Sequence, residues 1–334
     1  FRVDHREGLG QFILTGSAVP PDRSKIHHTG TGRFSWLTMR PMTLWESGES
    51  SGEVSLTDLF CTPALIDGGS LLSIEDLAFV ICRGGWPQAT KMNKSAALIQ
   101  AFNYYDAVVN NDISRIDGVR RSPERVKRLM RSLARFQGTQ TSIESIRRDM
   151  IANEAEGMDC DTVQSYLDSL NKIFVTENTH AWNPNLRSKT AIRTSDTRYF
   201  ADPSIGIAAL GIGPNDLLND LNTMGLLFET LAVRDLRVYA QAIGGEVYHY
   251  RDSNGLECDA VIHLRNGNYG LVEIKLGGES LIAEGKKTLN KLASSIDTTK
   301  MKNPSFRMVL IGVGNFAYRD DDGTYVVPIG CLKP

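Results

Sequence analysis

The chain has 334 residues, 41% of them hydrophobic and 23% charged, with a formal net charge of −2. That length allows two or three domains with cores of their own, and the balance of apolar and charged residues is that of a soluble globular protein. No apolar run approaches the roughly eighteen residues of a membrane span, no basic-then-apolar leader is visible, and the five scattered cysteines (Cys61, Cys82, Cys160, Cys258, Cys331) form no CxxC pair, which argues against a disulfide framework or zinc site and for a cytoplasmic protein.

The sequence opens at Phe1 rather than Met, which suggests a fragment or a processed chain. Residues 10–16, GQFILTG, read as a short buried strand entering a glycine turn. The polar segment HHTGTGRFSWLTMRPMTLWES follows, with an apolar-rich strand near Phe34–Leu37. His27-His28 has no companion at metal-ligand spacing and reads as surface loop. Residues 47–57, SGESSGEVSLT, read as an exposed Gly/Ser-rich loop.

From Ser73 the pattern turns helical. SIEDLAFVICRGGWP predicts a capped helix ending at Gly84-Gly85, and 94–113 continues helical. Ser122-Pro123 is a helix start, with an N-cap and a proline at the first position. Beyond it Val126, Leu129, Met130 and Leu133 make an inward stripe. Short helices follow near 142–152 and 162–172, the second capped by Asp161. Strand-like IFVTE (173–177) and RYFAD (198–202) come next. Three helices and a two-stranded return outline a winged helix-turn-helix.

After Asp202-Pro203 a helix is predicted over roughly 216–241. Strands EVYHYRD (246–252), LECDAVIHL (256–264) and YGLVEIKL (269–276), a helix near 280–295 and strand FRMVLIGV (306–313) complete an α/β module. The stretch EGKKT (284–288) lacks the glycine and hydroxyl spacing of a phosphate loop.

Two features carry chemistry. Between Arg115 and Arg135 there are eight basic residues against two acidic ones. Arg120, Arg121, Arg125 and Arg128 are therefore candidates for phosphate contact, although a run of charge is equally a solvated helix face. The second feature is Asp259 followed by Glu273-Ile274-Lys275. Phosphodiester hydrolysis with a divalent metal needs hard oxygen ligands and a nearby cation. Period two puts Glu273 and Lys275 on one sheet face, with Asp259 on the adjacent strand and Glu229 on the preceding helix. A charged residue alternating with apolar ones is ordinary in an antiparallel sheet, so the tripeptide alone means little.

The full order is more specific. Helix Glu, hairpin Asp, strand E-x-K and following helix, over about 216–313, resembles the PD-(D/E)xK, or restriction-endonuclease-like, superfamily. That resemblance implies Asp259 and Glu273 as Mg²⁺ ligands, Lys275 as the catalytic lysine and Glu229 as the helix carboxylate. The landmarks FILTGS, TGTGRFSWLTMRPMTLWE, GGWP, RYFADPSI, GLLFETLAVRDL and LVEIKLG also resemble, in order, bacterial and archaeal AAA-type ATPases that carry the C-terminal domain of unknown function 4143. This implies a nucleotide-sensing role for Thr15 and Ser17 and an inter-subunit nucleotide contact for Arg33. The sequence has no G-x-x-x-x-G-K-[ST] motif and no acidic Walker B strand. ATP is thus implied for the intact family protein, with no hydrolysis expected from these residues.

The expected architecture is multidomain α/β. An AAA-type core remnant covers 1–72, a helical and winged-helix region 73–203, and a restriction-endonuclease-like domain 204–334. DNA or RNA is the expected partner, with protein partners or self-association as the alternative.

Overall fold

The computed structural model describes residues 10, 12–18, 35–61, 66–115, 118–151, 157–187 and 191–334. Residues 12–17 are exposed and form no strand, with Ile13 89% and Leu14 78% exposed. The described part of the second expected strand, from Ser35 on, is likewise exposed and without regular structure. An apolar run becomes a strand only against a pairing neighbour, and no described residue pairs with either stretch.

The expected loop at 47–57 is instead a seam. Val54–Ser55 (β1) runs parallel to Leu332–Lys333 (β9) at the other end of the chain. Two of its hydroxyls bond across the seam: Ser50 Oγ donates to the Leu332 carbonyl at 2.7 Å and Ser55 Oγ to the Pro334 carbonyl at 2.9 Å. Gly/Ser composition here satisfies buried carbonyls rather than facing solvent. A short helix, Leu56–Leu59 (α1), and Gly68–Gly69 (β2) follow.

Ile74–Arg83 (α2) begins with a capping box between Ser73 and Asp76 and ends at Gly84, whose φ of 73° suits glycine. Lys94–Ala107 (α3) passes through one π turn, Val108–Asp112, into Ile113–Arg115 (α4). Pro123–Arg135 (α5) buries the predicted stripe, with Val126, Leu129, Met130 and Leu133 all at 1% exposure or less. Ile143–Ile151 (α6) and Cys160–Lys172 (α7) pack with α5 around one core.

The cap of α7 is Asp159, not Asp161. Its carboxylate accepts the Thr162 N–H at 2.6 Å, the geometry of an N-cap three residues upstream. The expected strands at 173–177 and 198–202 are reduced to isolated bridges, Thr176↔Phe200 between them and Thr139↔Arg198 to the segment after α5. Phe174 takes φ 58° to close the helix, and Val175 N–H returns to the Leu170 carbonyl at 3.0 Å. The run therefore starts as a helix terminus.

Pro203–Leu210 (α8) and Pro214–Asn219 (α9) lead to Leu221–Ala242 (α10). The single helix expected over 216–241 is thus broken at Asp220, whose side chain caps α10 by accepting the Thr223 N–H. Strands Gly245–Arg251 (β3), Glu257–Leu264 (β4) and Tyr269–Lys275 (β5) form an antiparallel meander. Glu279–Ser295 (α11) crosses to Phe306–Ile311 (β6), parallel to β5. Phe316–Arg319 (β7) and Tyr325–Pro328 (β8) extend the sheet to seven strands in the order β2-β7-β8-β6-β5-β4-β3.

This is a mixed α/β architecture. Ala260, Ile262, Val272 and Leu310 share a core with α10 on one face, whereas Val261, Leu271 and Val309 pack against Leu289 and Leu292 of α11 on the other. The α10 core also takes in Leu44, Val54, Leu56, Leu77 and Ile81. Leu44, Val54, Leu56 and Leu59 are therefore buried with the C-terminal sheet. No helix among the described residues is long and apolar enough to cross a membrane.

Candidate functional site

The register of β3 against β4 shifts between Tyr248, opposite Val261, and Tyr250, opposite Cys258. His249 alone therefore spans Asp259 and Ala260, a β-bulge that re-aims the side chain of Asp259. The Asp259 carboxylate lies along the β4–β5 seam, where Oδ2 accepts the Ile274 N–H at 2.7 Å. Continuing the β4–β5 register beyond Ala260↔Val272 puts Asp259 opposite Glu273. The Lys275 ammonium sits between them, 2.9 Å from Glu273 Oε2 and 3.6 Å from Asp259 Oδ2. The structure thus brings together the three residues that spacing singled out.

The site is lopsided in solvation. The Asp259 and Lys275 side chains keep 20% and 21% exposure, and Glu273 keeps 4%. Glu273 Oε1 is buried with no hydrogen-bond partner, a condition that costs about 1–3 kcal/mol when uncompensated. Burial, followed by the negative charge of Asp259, pushes the Glu273 carboxyl up from 4.5 to about 8, against the pull of Lys275. Lys275 is held well above its usual range because both carboxylates outweigh its own desolvation. Among the described residues, no group of three or more His, Cys, Asp or Glu side chains forms a metal cage. The oxygen donors here are a pair.

Glu229 approaches from α10. Its carboxyl bonds to Tyr199, whose hydroxyl donates to Oε1 at 2.6 Å. Burial, then Asp259, raise the Glu229 pKa well above the carboxylate range. It is an electrostatic neighbour of the Asp259–Glu273 pair, with its direct hydrogen bond elsewhere.

The other expected residues fare differently. Arg120 is exposed, and Arg125 and Arg128 are half-buried along α5. Arg121, expected on the basic face, is 4% exposed. Its guanidinium donates to the Ile113 carbonyl at 3.1 Å and lies over the Tyr166 ring at 5.6 Å. An arginine just ahead of a helix start has enough donors to satisfy the carbonyls of the preceding turn, and this one is used internally. Thr15 and Ser17 sit in the exposed 12–18 stretch. Arg33 and His27-His28 lie outside the described residues. EGKKT lies within α11, where Gly285 lets the helix approach Glu273: a Cβ there would stand 3.3 Å from the Glu273 Cβ.

Tyr199 and Gly138 went unseen in the sequence. Gly138 has no motif, Tyr199 falls inside RYFADPSI with no sign of its partner, and each is distant in sequence from the acidic residue it touches. A second ionic cluster was also missed, although its residues fall inside the quoted landmarks. Arg234 Nη1 is 2.7 Å from Asp202 Oδ2 and Nη2 is 2.7 Å from Asp235 Oδ1, with all three side chains at 2% exposure or less. The Leu44 N–H donates to Asp235, the Gly85 N–H to Asp202, and Ser204 donates to Asp202 through both backbone and hydroxyl. MTLWE, GGWP, FADPS and VRDL thus meet at one buried junction.

Residues 74–216 match the model of a family described as a domain of unknown function (DUF8612). Residues 224–332, which hold Glu229, Asp259, Glu273 and Lys275, match the model of another domain of unknown function (DUF4143), one commonly found in AAA-ATPase-associated proteins. No curated protein and no solved structure matches the chain.

Proposed function

We propose that the module from residue 204 onward is a divalent-metal-dependent phosphodiesterase acting on nucleic acid, built on a restriction-endonuclease-like plan. On this reading it works within a protein of the AAA-type ATPase kind. The observation that carries the proposal is the orphaned Glu273 Oε1 beside Asp259 at a bulge. A buried oxygen without a donor, in a carboxylate pair that retains solvent access through Asp259, suits a cation better than it suits a finished core. Mg²⁺ is commonly held by one or two carboxylates, with water and phosphate oxygens completing its shell, so a two-carboxylate site is sufficient. When bound, the metal would supply Lewis-acid polarisation of a phosphate.

The chain's own residues supply the rest. Asp259 and Glu273 would hold the cation, and because a carboxylate must be deprotonated to act as a ligand, the raised Glu273 pKa would make its affinity depend on pH. Lys275 remains cationic and offers its N–H donors to charge developing on a phosphate oxygen. Arg120, Arg125 and Arg128 on and ahead of α5 are the proposed phosphate-backbone contacts. The match of residues 224–332 to a domain found beside AAA-type ATPases supports the wider reading. Nucleotide contacts by Thr15, Ser17 and Arg33 stay part of that proposal.

One observation favours a second reading. Lys275 already bridges both carboxylates, as it would in a purely structural ion cluster whose module only binds nucleic acid or protein. Incubation of the chain with Mg²⁺ or Mn²⁺ and branched, duplex and single-stranded DNA and RNA separates the two. Cleavage abolished by chelator and by Lys275→Ala is expected. Intact substrate throughout the panel would sink the catalytic reading and leave the ion cluster.

A further inference from the structure

Glu229 belongs to the region 224–332, but what fixes its carboxyl comes from the region 74–216. Two contacts do so. Tyr199, 1% exposed, donates its hydroxyl to Glu229 Oε1 at 2.6 Å. Gly138, at φ 68°, presents its bare Cα to the same carboxyl: a Cβ there would stand 2.6 Å from Oε1 and 3.0 Å from both Cδ and Oε2. Gly138 is itself tied to the Tyr199 segment, its N–H donating to the Arg198 carbonyl at 3.1 Å. The carboxyl is therefore clamped between a single directed donor and a backbone with no side chain.

The clamp is anchored in depth. The Arg237 guanidinium lies over the Tyr199 ring, 5.6 Å from its centroid. Arg237 also donates to the Glu177 carbonyl at 2.9 Å and Thr179 Oγ1 at 2.6 Å. Glu177 in turn receives two hydrogen bonds from Arg40, at 2.9 and 2.7 Å. The Tyr199 ring cannot swing away without disturbing this chain, so its hydroxyl holds a defined direction. The charged groups bearing on Glu229 from the sheet side are Asp259, Lys275 and Glu273.

We propose that Tyr199 and Gly138 are positioning residues for Glu229, so that the candidate site is composite and the 74–216 region sets the third carboxyl of the 224–332 region. The proposal rests on the reading of Asp259, Glu273 and Lys275 as a phosphodiesterase site. Without the clamp, no other hydrogen bond among the described contacts would hold the Glu229 carboxyl beside Asp259. With it, a third carboxyl is kept beside the pair, where it can orient water or cation-bound solvent.

The test uses the full chain and two readouts. In metal-free protein, the Glu229 side-chain ¹³C carboxyl resonance is assigned by its loss in Glu229→Gln. Tyr199→Phe, which deletes one oxygen and keeps the ring, is expected to shift that resonance while leaving the thermal midpoint within a few degrees. Gly138→Ala is expected to shift it too. An unmoved resonance in Tyr199→Phe overturns the proposal, because a merely structural tyrosine would lower the midpoint without altering the carboxyl. The second readout is Mn²⁺ affinity. A severalfold weaker affinity in Tyr199→Phe is expected, and wild-type affinity there overturns the functional part of the clamp. Absence of Mn²⁺ binding in the wild-type chain would strike the phosphodiesterase reading and with it that functional part, and the carboxyl resonance would still decide whether the clamp exists.

Discussion

Two clusters in this molecule set carboxylates against one cation, and they are built to opposite standards. In the Asp202–Arg234–Asp235 cluster all four carboxylate oxygens accept hydrogen bonds, and each side chain is at 2% exposure or less. In the Asp259–Glu273–Lys275 cluster one buried oxygen has no donor, and two of the three side chains retain about a fifth of their exposure. Arginine's planar fork engages two carboxylates at fixed angles, whereas a lysine is a point charge on a flexible stem. The first arrangement is a fastener in which no carboxylate oxygen is left without a donor. The second leaves a buried oxygen unpaired and two side chains open to solvent, which is what the proposed cation site requires.

The contrast can be broken by substitution, and the largest effect belongs to the fastener. Arg234→Met strands Asp202 and Asp235 without their cation and is expected to cost about 3–5 kcal/mol in urea unfolding. A loss well under 1 kcal/mol would show that the junction is not a unit. Next is Gly85→Ala at the same junction. Its Cβ would lie 2.1 Å from the Met42 carbonyl oxygen, and Met42 N–H already bonds the Gly85 carbonyl at 2.7 Å. Because backbone must move, a loss of roughly 1–3 kcal/mol is expected, read as a fall in the urea midpoint.

The open cluster predicts an effect that depends on pH. Glu273 has a folded pKa of about 8 against 4.5 when unperturbed. Between those values the unfolded state has released a proton that the folded state keeps, so stability falls as pH rises. This contribution is fully present below pH 4.5 and gone above about 8. Glu273→Gln removes the titration. Relative to wild type, the variant should gain stability on moving from pH 5 to pH 9, by up to about 4 kcal/mol, measured by urea midpoints. A parallel pair of pH profiles would mean that Glu273 titrates normally. The smallest stability effect is expected on α5: Arg128→Gln should change stability by no more than about 0.5 kcal/mol. If α5 contacts phosphates, the same change should lower the salt slope of nucleic-acid binding by about 1.

What could be read in the sequence divides along the same physical line. Local signals survived intact: the Ser73 capping box, Gly84 at the end of α2, the stripe Val126–Leu133 and the three-strand meander all depend on neighbours within a few residues. Glu273 and Lys275 share a face because strand periodicity demands it. The bulge that re-aims Asp259 was invisible, because it is a property of the pairing with β3 rather than of β4 alone. The 47–57 segment misled for a related reason: Ser50 donates to the Leu332 carbonyl 282 residues away and Ser55 to the Pro334 carbonyl 279 residues away. Arg121 was misplaced because basic character reports charge and not direction. The landmark motifs were conspicuous, yet their chemistry was hidden until MTLWE, GGWP, FADPS and VRDL were seen to meet around Arg234.

The most direct test of the contrast is Mn²⁺ calorimetry on the full chain, with Asp259→Asn, Glu273→Gln and Gly85→Ala alongside it. Saturable binding is predicted in the wild-type chain, lost in the two site variants and retained in folded Gly85→Ala. No binding at millimolar metal, or binding that persists in both Asp259→Asn and Glu273→Gln, would contradict the assignment of the open cluster as a cation site.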